Sequence, residues 1–256
     1  MSMDTLTEAQ RIKNIQQAIR TADADLKQRY PILNHQDAIG LIICLSVFSG
    51  MIATGLAYIY DLIPAWLCIV VATILASISH ELEHDLIHHM YFRKNRFVQN
   101  IMMAIVWIMR PNTVHPWYRR GMHFNHHKVS GTKNDIEERV LGNGMKLGVK
   151  RVLISLDGFL SISLRYNELK SMNNYNFFKF AMKGMPLGHI YVISLYAFVA
   201  FHSYDFFAPI AGLSIAYDPL LLEAVNVLNI MAVVWILPNF LRALCLHNVT
   251  AMMHYY

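Results

Sequence analysis

The chain has 256 residues, 55% of them hydrophobic and only 15% charged, with a formal net charge of +5 and a mean hydropathy of +0.33. A soluble domain carries roughly 25% charged residues, so this balance argues against one. Cys44, Cys68 and Cys245 show no metal-ligand spacing and read as small buried hydrophobes of a reducing compartment.

Residues 1–37 are polar, and the first apolar run is too long for the core of a signal peptide, so no cleavable leader is expected. Thr5 to Gln28 reads as a polar cytoplasmic helix, with Thr5-x-x-Glu8 as its capping box and Pro31 beyond its end. Four apolar runs follow, at about 38–60, 62–79, 187–207 and 224–241. Each is long enough to cross a hydrocarbon layer of about 30 Å. A buried soluble helix could imitate one such run, but four in one chain predict an all-α integral membrane protein. Residues 38–256 form its membrane domain and 80–186 a long segment outside the bilayer. Pro238 is expected to kink the fourth span.

Of the 22 Lys and Arg, 5 precede the first span, 16 lie between Arg93 and Lys183, and only Arg242 follows. By the positive-inside rule both termini and the 80–186 segment are cytoplasmic. The basic excess there fits anionic headgroups, and no nucleic-acid motif accompanies it. The run Phe97 to Met109 has 13 residues and basic residues on both flanks. It reads as a re-entrant or interfacial helix. A crossing would put the histidines before and after it on opposite faces. Leu153, Leu156, Leu160 and Leu164 suggest a further helix, either interfacial or packed on the domain.

The histidines lie at span ends. In "HELEHDLIHH", residues 80–89, His80, His84 and His88 form one helical stripe, His89 points away, and Glu83 is placed to orient an imidazole. The same letters satisfy the HExxH zinc-protease pattern, with Glu81 as general base. A second cluster, "MHFNHHKVSG", holds His123, His126 and His127, and a third group is His247 and His254 after the fourth span. One zinc needs three or four ligands. The protease reading leaves the second cluster without a role, whereas this many imidazoles suffice for two metals. Asp135, Glu137 and Glu138 are either acceptors for ligand imidazoles or a solvated acidic turn. Arg119 and Arg120 either pair with a headgroup or anchor the interface. His35 and His189 read as surface or interfacial and His115 as a loop residue. His202 and Asp205 lie too far along the third span to join the others. Asn248-Val249-Thr250 is a sequon without use in a cytoplasmic location.

"SHELEHDLIHH" followed by "MHFNHHKVSG" resembles the histidine boxes of membrane fatty acid desaturases and hydroxylases, and "LRALCLHNVTAMMHYY" resembles the stretch after their last span. The resemblance runs from about Ile63 to the end. It implies four transmembrane helices under a cytosolic helical cap that holds two iron ions. His80 and His84 match the first box, His123, His126 and His127 the second, and His254 the ligand after the fourth helix. His88 and His247 are further candidates, with Glu83, Asp135, Glu137 and Glu138 behind them. The implied activity is O₂-dependent desaturation of a fatty-acyl or lipid chain drawn from the bilayer, with electrons from a separate ferredoxin- or cytochrome-type donor. Hydroxylation of an alkyl chain, or a carotenoid-type oxygenation, is the alternative within the class. The family's further HxxHH box is absent before Tyr256, so the chain is expected to be a fragment. A non-catalytic relative is the alternative to that.

Glu81→Gln and His127→Ala separate the two metal chemistries. The oxygenase reading expects activity to survive the first and vanish with the second; a zinc protease would show the reverse in the same assay.

Overall fold

The computed structural model describes residues 7–130, 132, 134–137, 145, 146, 148–156, 158–171, 176 and 179–253, the last four without their side chains. Every regular element among them is helical. Packing divides the chain into two compact units, Met1–Ile43 and Cys44–Tyr256.

In the first unit, α1 (Glu8–Arg29) opens with a capping box. The Gln10 amide donates to Thr7 Oγ1 at 3.4 Å, and the Thr7 amide donates to Gln10 Oε1 at 2.9 Å. Thr5 lies outside the described residues; the box that forms sits two residues further on. Lys27 and Asp23 pair at 2.7 Å on the helix surface, and no α1 residue is buried. Pro31 opens a short 3-10 turn, Pro31–His35, ahead of α2 (Gln36–Ile59).

In the second unit the rest of α2 is followed by α3 (Ala65–Ile87), α4 (Arg96–Ile108) and α5 (Pro116–Val129). The cap pieces α6 (Val149–Leu156), α7 (Gly158–Leu164) and α8 (Tyr166–Lys170) come next, then α9 (Pro186–Ile210), α10 (Pro219–Met231) and α11 (Leu237–Met253). Four helices are long and apolar enough to cross a membrane: Pro31–Ile59, Ala65–Ile87, Pro186–Ile210 and Pro219–Val249. Ile193, Phe206 and Ile210 on α9 are 65–70% exposed. Large aliphatic and aromatic groups so bare are at home against hydrocarbon, where every backbone polar group must already be paired within a helix.

Close approach of the spans uses glycine. A Cβ on Gly50 would stand 3.2 Å from Leu75 Cδ1, and one on Gly55 would run into Val234 Cγ1. Without a hydrophobic drive between helices in lipid, such backbone proximity supplies the packing. Val234 itself sits in a π turn, Ala232–Ile236, between α10 and α11. Proline at 238 has no N–H for the Val234 carbonyl, and the ladder widens one turn upstream. The irregularity observed next to Pro238 is this π turn. Thr73 Oγ1 also donates to the Pro238 carbonyl, at 3.1 Å.

α4 does not cross. Its 13 residues span about 20 Å at the α-helical rise. Gln99, Met102, Met103 and Val106 form its buried stripe, while Phe97, Ile101 and Ile108 face outward. Ending within an apolar region, it needs partners for its last carbonyls. Trp235 Nε1–H donates to the Ile108 carbonyl and Asn239 Nδ2–H to that of Met109, both at 2.9 Å. The histidines before and after α4 meet, with His88 and His123 Nε2 3.0 Å apart. In the cap, the expected leucine stretch is helical on both sides of residue 157, which lies outside the described residues. Arg151, Ile154, Ser155, Ser161 and Ile162 are its buried side chains, and Leu153 and Leu164 point outward.

Gly55→Val should destabilise the detergent-solubilised protein by about 1–3 kcal/mol through overpacking. Thermal denaturation would show it as a lowered Tm. Adding Val234→Ala should recover part of the loss.

Candidate metal centre

α3 outruns its apolar stretch, so His80, Glu83 and His84 lie on one continuous helix and His88 caps its C-terminus. Arg120 secures that end, donating from Nε to the Ile87 carbonyl and from Nη2 to that of Leu86, each at 3.0 Å. It is a helix cap, not a headgroup ligand. α5 opens with Pro116 at its first position, where a missing N–H costs nothing. It then presents His123 and His127 one turn apart toward α3.

Two i,i+4 histidine pairs thus face each other. The ligand atoms of His84, His88, His123 and His127 all lie within 4.8 Å of one another. The Nε2 atoms of His88, His123 and His127 make a triangle with edges of 3.0, 3.1 and 3.1 Å. Nitrogens so spaced match ligands about 90° apart at roughly 2.1 Å from a single cation, an ordinary metal–imidazole length. Hydrogen bonding alone does not satisfy this triangle. His123 Nδ1–H donates to Glu137 Oε2 at 3.0 Å, which leaves its Nε2 with a bare lone pair aimed at the other two. A cation turns that crowding of lone pairs into coordination, so the residues fit a metal ion. Burial, then the neighbouring imidazoles, hold His88 and His127 below the ordinary histidine pKa. Their neutral, ligating forms thus persist to lower pH.

The acidic residues act behind the rings. Burial pushes the Glu137 carboxyl up, but the His123 hydrogen bond and the Arg119 charge outweigh it and leave it below its ordinary range. His126 Nδ1–H donates to Asp135 Oδ2 at 2.7 Å, and Asp135 is fully buried, which does not suit a solvated turn. Glu83, also fully buried, touches no imidazole. It pairs with Arg110 and, at 3.2 Å, with Arg119 Nη1, whose Nε reaches Glu137 Oε1 at 3.4 Å. Its influence on His123 therefore passes through Arg119.

His80 stands apart from the four. Its Nδ1 accepts from Arg110 Nη1 at 2.9 Å, which places its remaining proton on Nε2. It instead lines a cavity of about 310 Å³ with His123, His126 and His247. His247 Nδ1–H donates to the Ser155 carbonyl at 3.1 Å, and His126 and His247 both line that cavity. His254 and Glu138 lie outside the described residues. Glu81 is exposed, and His84 groups with His88, His123 and His127 while His80 is engaged by Arg110, an arrangement that does not suit an HExxH site. His89 turns away to Gln99 at 3.0 Å, with φ +57°. His115 packs its ring between Trp107 and Trp117. His202 bonds Asn229 at 2.7 Å.

Sequence reasoning missed Arg110, Asn112, Asn239 and Arg242 as parts of the site. The available signal was a charge inside an apolar stretch, at Arg110 and Arg242, since ionisable residues at membrane depth are costly.

Cobalt titration of the full chain should show sharply weakened binding for His88→Ala and His123→Ala and much less change for His80→Ala. Glu137→Gln should weaken binding by about 10–100-fold, the usual effect of losing an imidazole's carboxylate partner.

Nothing matches among the curated proteins or the solved structures. Residues 61–256 match the family described as Fatty acid desaturase. That stretch is most of the chain and holds both histidine clusters of the metal centre, and the chain belongs to the fatty acid desaturase family.

Proposed function

We propose that this protein carries out O₂-dependent desaturation of a fatty-acyl or lipid chain, with two iron ions held by its histidines. The four-imidazole cluster on α3 and α5 is the observation that carries the reading. An all-imidazole set suits a redox-active metal. When bound, such a metal pair supplies the oxidising power needed to break C–H bonds of an unactivated methylene, which redox-inert zinc lacks.

The chain's own residues have definable parts in this. His84, His88, His123 and His127 hold one ion; His126 and His247, with His254 further along, are the donors for the second. Glu137 and Asp135 fix the tautomers of His123 and His126 so that Nε2 faces the metal. Arg119 keeps Glu137 ionised and oriented. Val114, Met122, Ile162 and Phe180 wall the cavity with apolar surface, which admits an alkyl chain and excludes water from it. The overall reaction takes two hydrogens from the chain and two electrons with two protons from a donor, converting O₂ to two waters. A separate ferredoxin- or cytochrome-type protein is the donor, approaching from the cytoplasmic side where the basic residues lie.

Expression of the full chain in a host, followed by gas chromatography and mass spectrometry of its lipids, tests this. A new double bond that disappears with His123→Ala supports the proposal. A new hydroxyl group instead assigns the alternative fate of the same oxidation. Purified protein that takes up zinc but no iron, with unchanged host lipids, overturns it.

A further inference from the structure

Three arginines surround the cavity and its rear wall, and they are unequally balanced. Arg110 and Arg119 both pair with Glu83, and Arg119 also with Glu137. Arg242 on α11 is only 4% exposed, yet its hydrogen bonds go to neutral groups, Asn239 Oδ1 at 3.3 Å and Asn112 Oδ1 at 2.9 Å. No carboxylate among the described residues reaches it, although it lines the cavity. A buried guanidinium without an anion is expensive, and metal ions in the same cavity would raise the positive charge further.

The two asparagines are built to hold this cation in place. Asn239 Nδ2 donates to the carbonyls of Met109 and Trp235, both at 2.9 Å. Asn112 Nδ2 donates to the Asn239 carbonyl at 3.0 Å. With each amide nitrogen committed to a carbonyl, each amide oxygen must face Arg242. The guanidinium is thereby oriented in advance, and its remaining N–H groups have no partner among the described residues. A planar, rigid fork of this kind matches a carboxylate or phosphate. Around it the cavity is lined by Val114, Met122, Ile162, Phe180 and Met185. The site thus pairs one fixed cation with an apolar chamber.

We propose that Arg242 is the anchor for the anionic head of an acyl chain, a carboxylate or phosphate, seated in this cavity beside the histidines. This rests on the reading of the chain as an acyl-chain oxygenase and adds the substrate's polarity. A cavity of about 310 Å³ is at the small end of ligand pockets, and it takes a head group and the first part of a chain. The head binds at Arg242, and the carbons next to it lie before His126 and His247.

The test is equilibrium binding of tritiated hexadecanoate, hexadecyl phosphate and hexadecanol to the full chain, metal-free, in phosphatidylcholine nanodiscs. At least one anion should bind about 10-fold or more tightly than the alcohol, as a charge-assisted hydrogen-bonded pair in a dry site implies. Arg242→Gln should remove that preference while hexadecanol still binds, which also reports an intact fold. Asn112→Asp, which sets a carboxylate against the same guanidinium, should remove it as well and covers the case in which the arginine variant misfolds. A preference for hexadecanoate makes the substrate a free acid, and one for hexadecyl phosphate makes it a phosphate-headed lipid. Equal binding of all three ligands, or a preference that survives both variants, overturns the proposal. Because no metal or turnover enters, the anchor and the oxygenase reading fail separately. Oxidised host lipid with no anion preference sinks only the anchor, and an anion preference with no oxidised lipid sinks only the reaction.

Discussion

Glu83, fully buried on α3, accepts Arg110 from the end of α4 and Arg119 from α5, and through these two cations it determines where both later elements return to α3. Arg119 carries the connection to Glu137, and Glu137 to His123. Removing one partner of a buried ion pair typically costs about 3–5 kcal/mol because the other charge stays behind. Here a single carboxylate serves two cations, so its loss would strand both. The distance between α3 and α5, and with it the spacing of the imidazoles, follows from that anchoring.

The imidazoles make the opposite kind of arrangement. Several interior polar groups elsewhere are matched donor to acceptor. Asn239 meets the end of α4, Thr73 meets Pro238, and Asp135 meets His126. In the cluster, three Nε2 atoms crowd one another while Glu137 sets the tautomer of His123 from behind. The protein concentrates its unsatisfied electron pairs at one point and spends salt bridges and carboxylates to keep them there. Such a point is where a cation gains most, and the surrounding fold is the means of holding it open.

Much of this was legible in the sequence. The four spans follow from apolar length, and α4 follows from a run too short to cross with basic residues on both flanks. That the two main histidine clusters would meet was legible from their places at span ends, and His88 and His123 do meet. Which histidines of each cluster meet was not. His80, His84 and His88 share a stripe at equal spacing, and periodicity does not say which two of three face α5. Arg110 decides it by engaging His80, and that contact joins residues 30 apart. Along 153–164, Ile154 and Ile162 pack inward while Leu153 and Leu164 are exposed, a choice of face that the leucine spacing does not make. The partners of Arg119 and Arg242 depend on tertiary placement that no local pattern encodes.

The seat of α4 has a consequence for the making of the protein. The carbonyls of Ile108 and Met109 are met by Trp235 and Asn239, side chains 127 and 130 positions further along the chain. At about 5–20 residues per second, the ribosome adds those partners roughly ten seconds after α4 itself. Until then the Ile108 and Met109 carbonyls lack the side-chain partners they have in the finished fold. The seat of α4 is consequently completed when the last long helix arrives and not when α4 itself is translated.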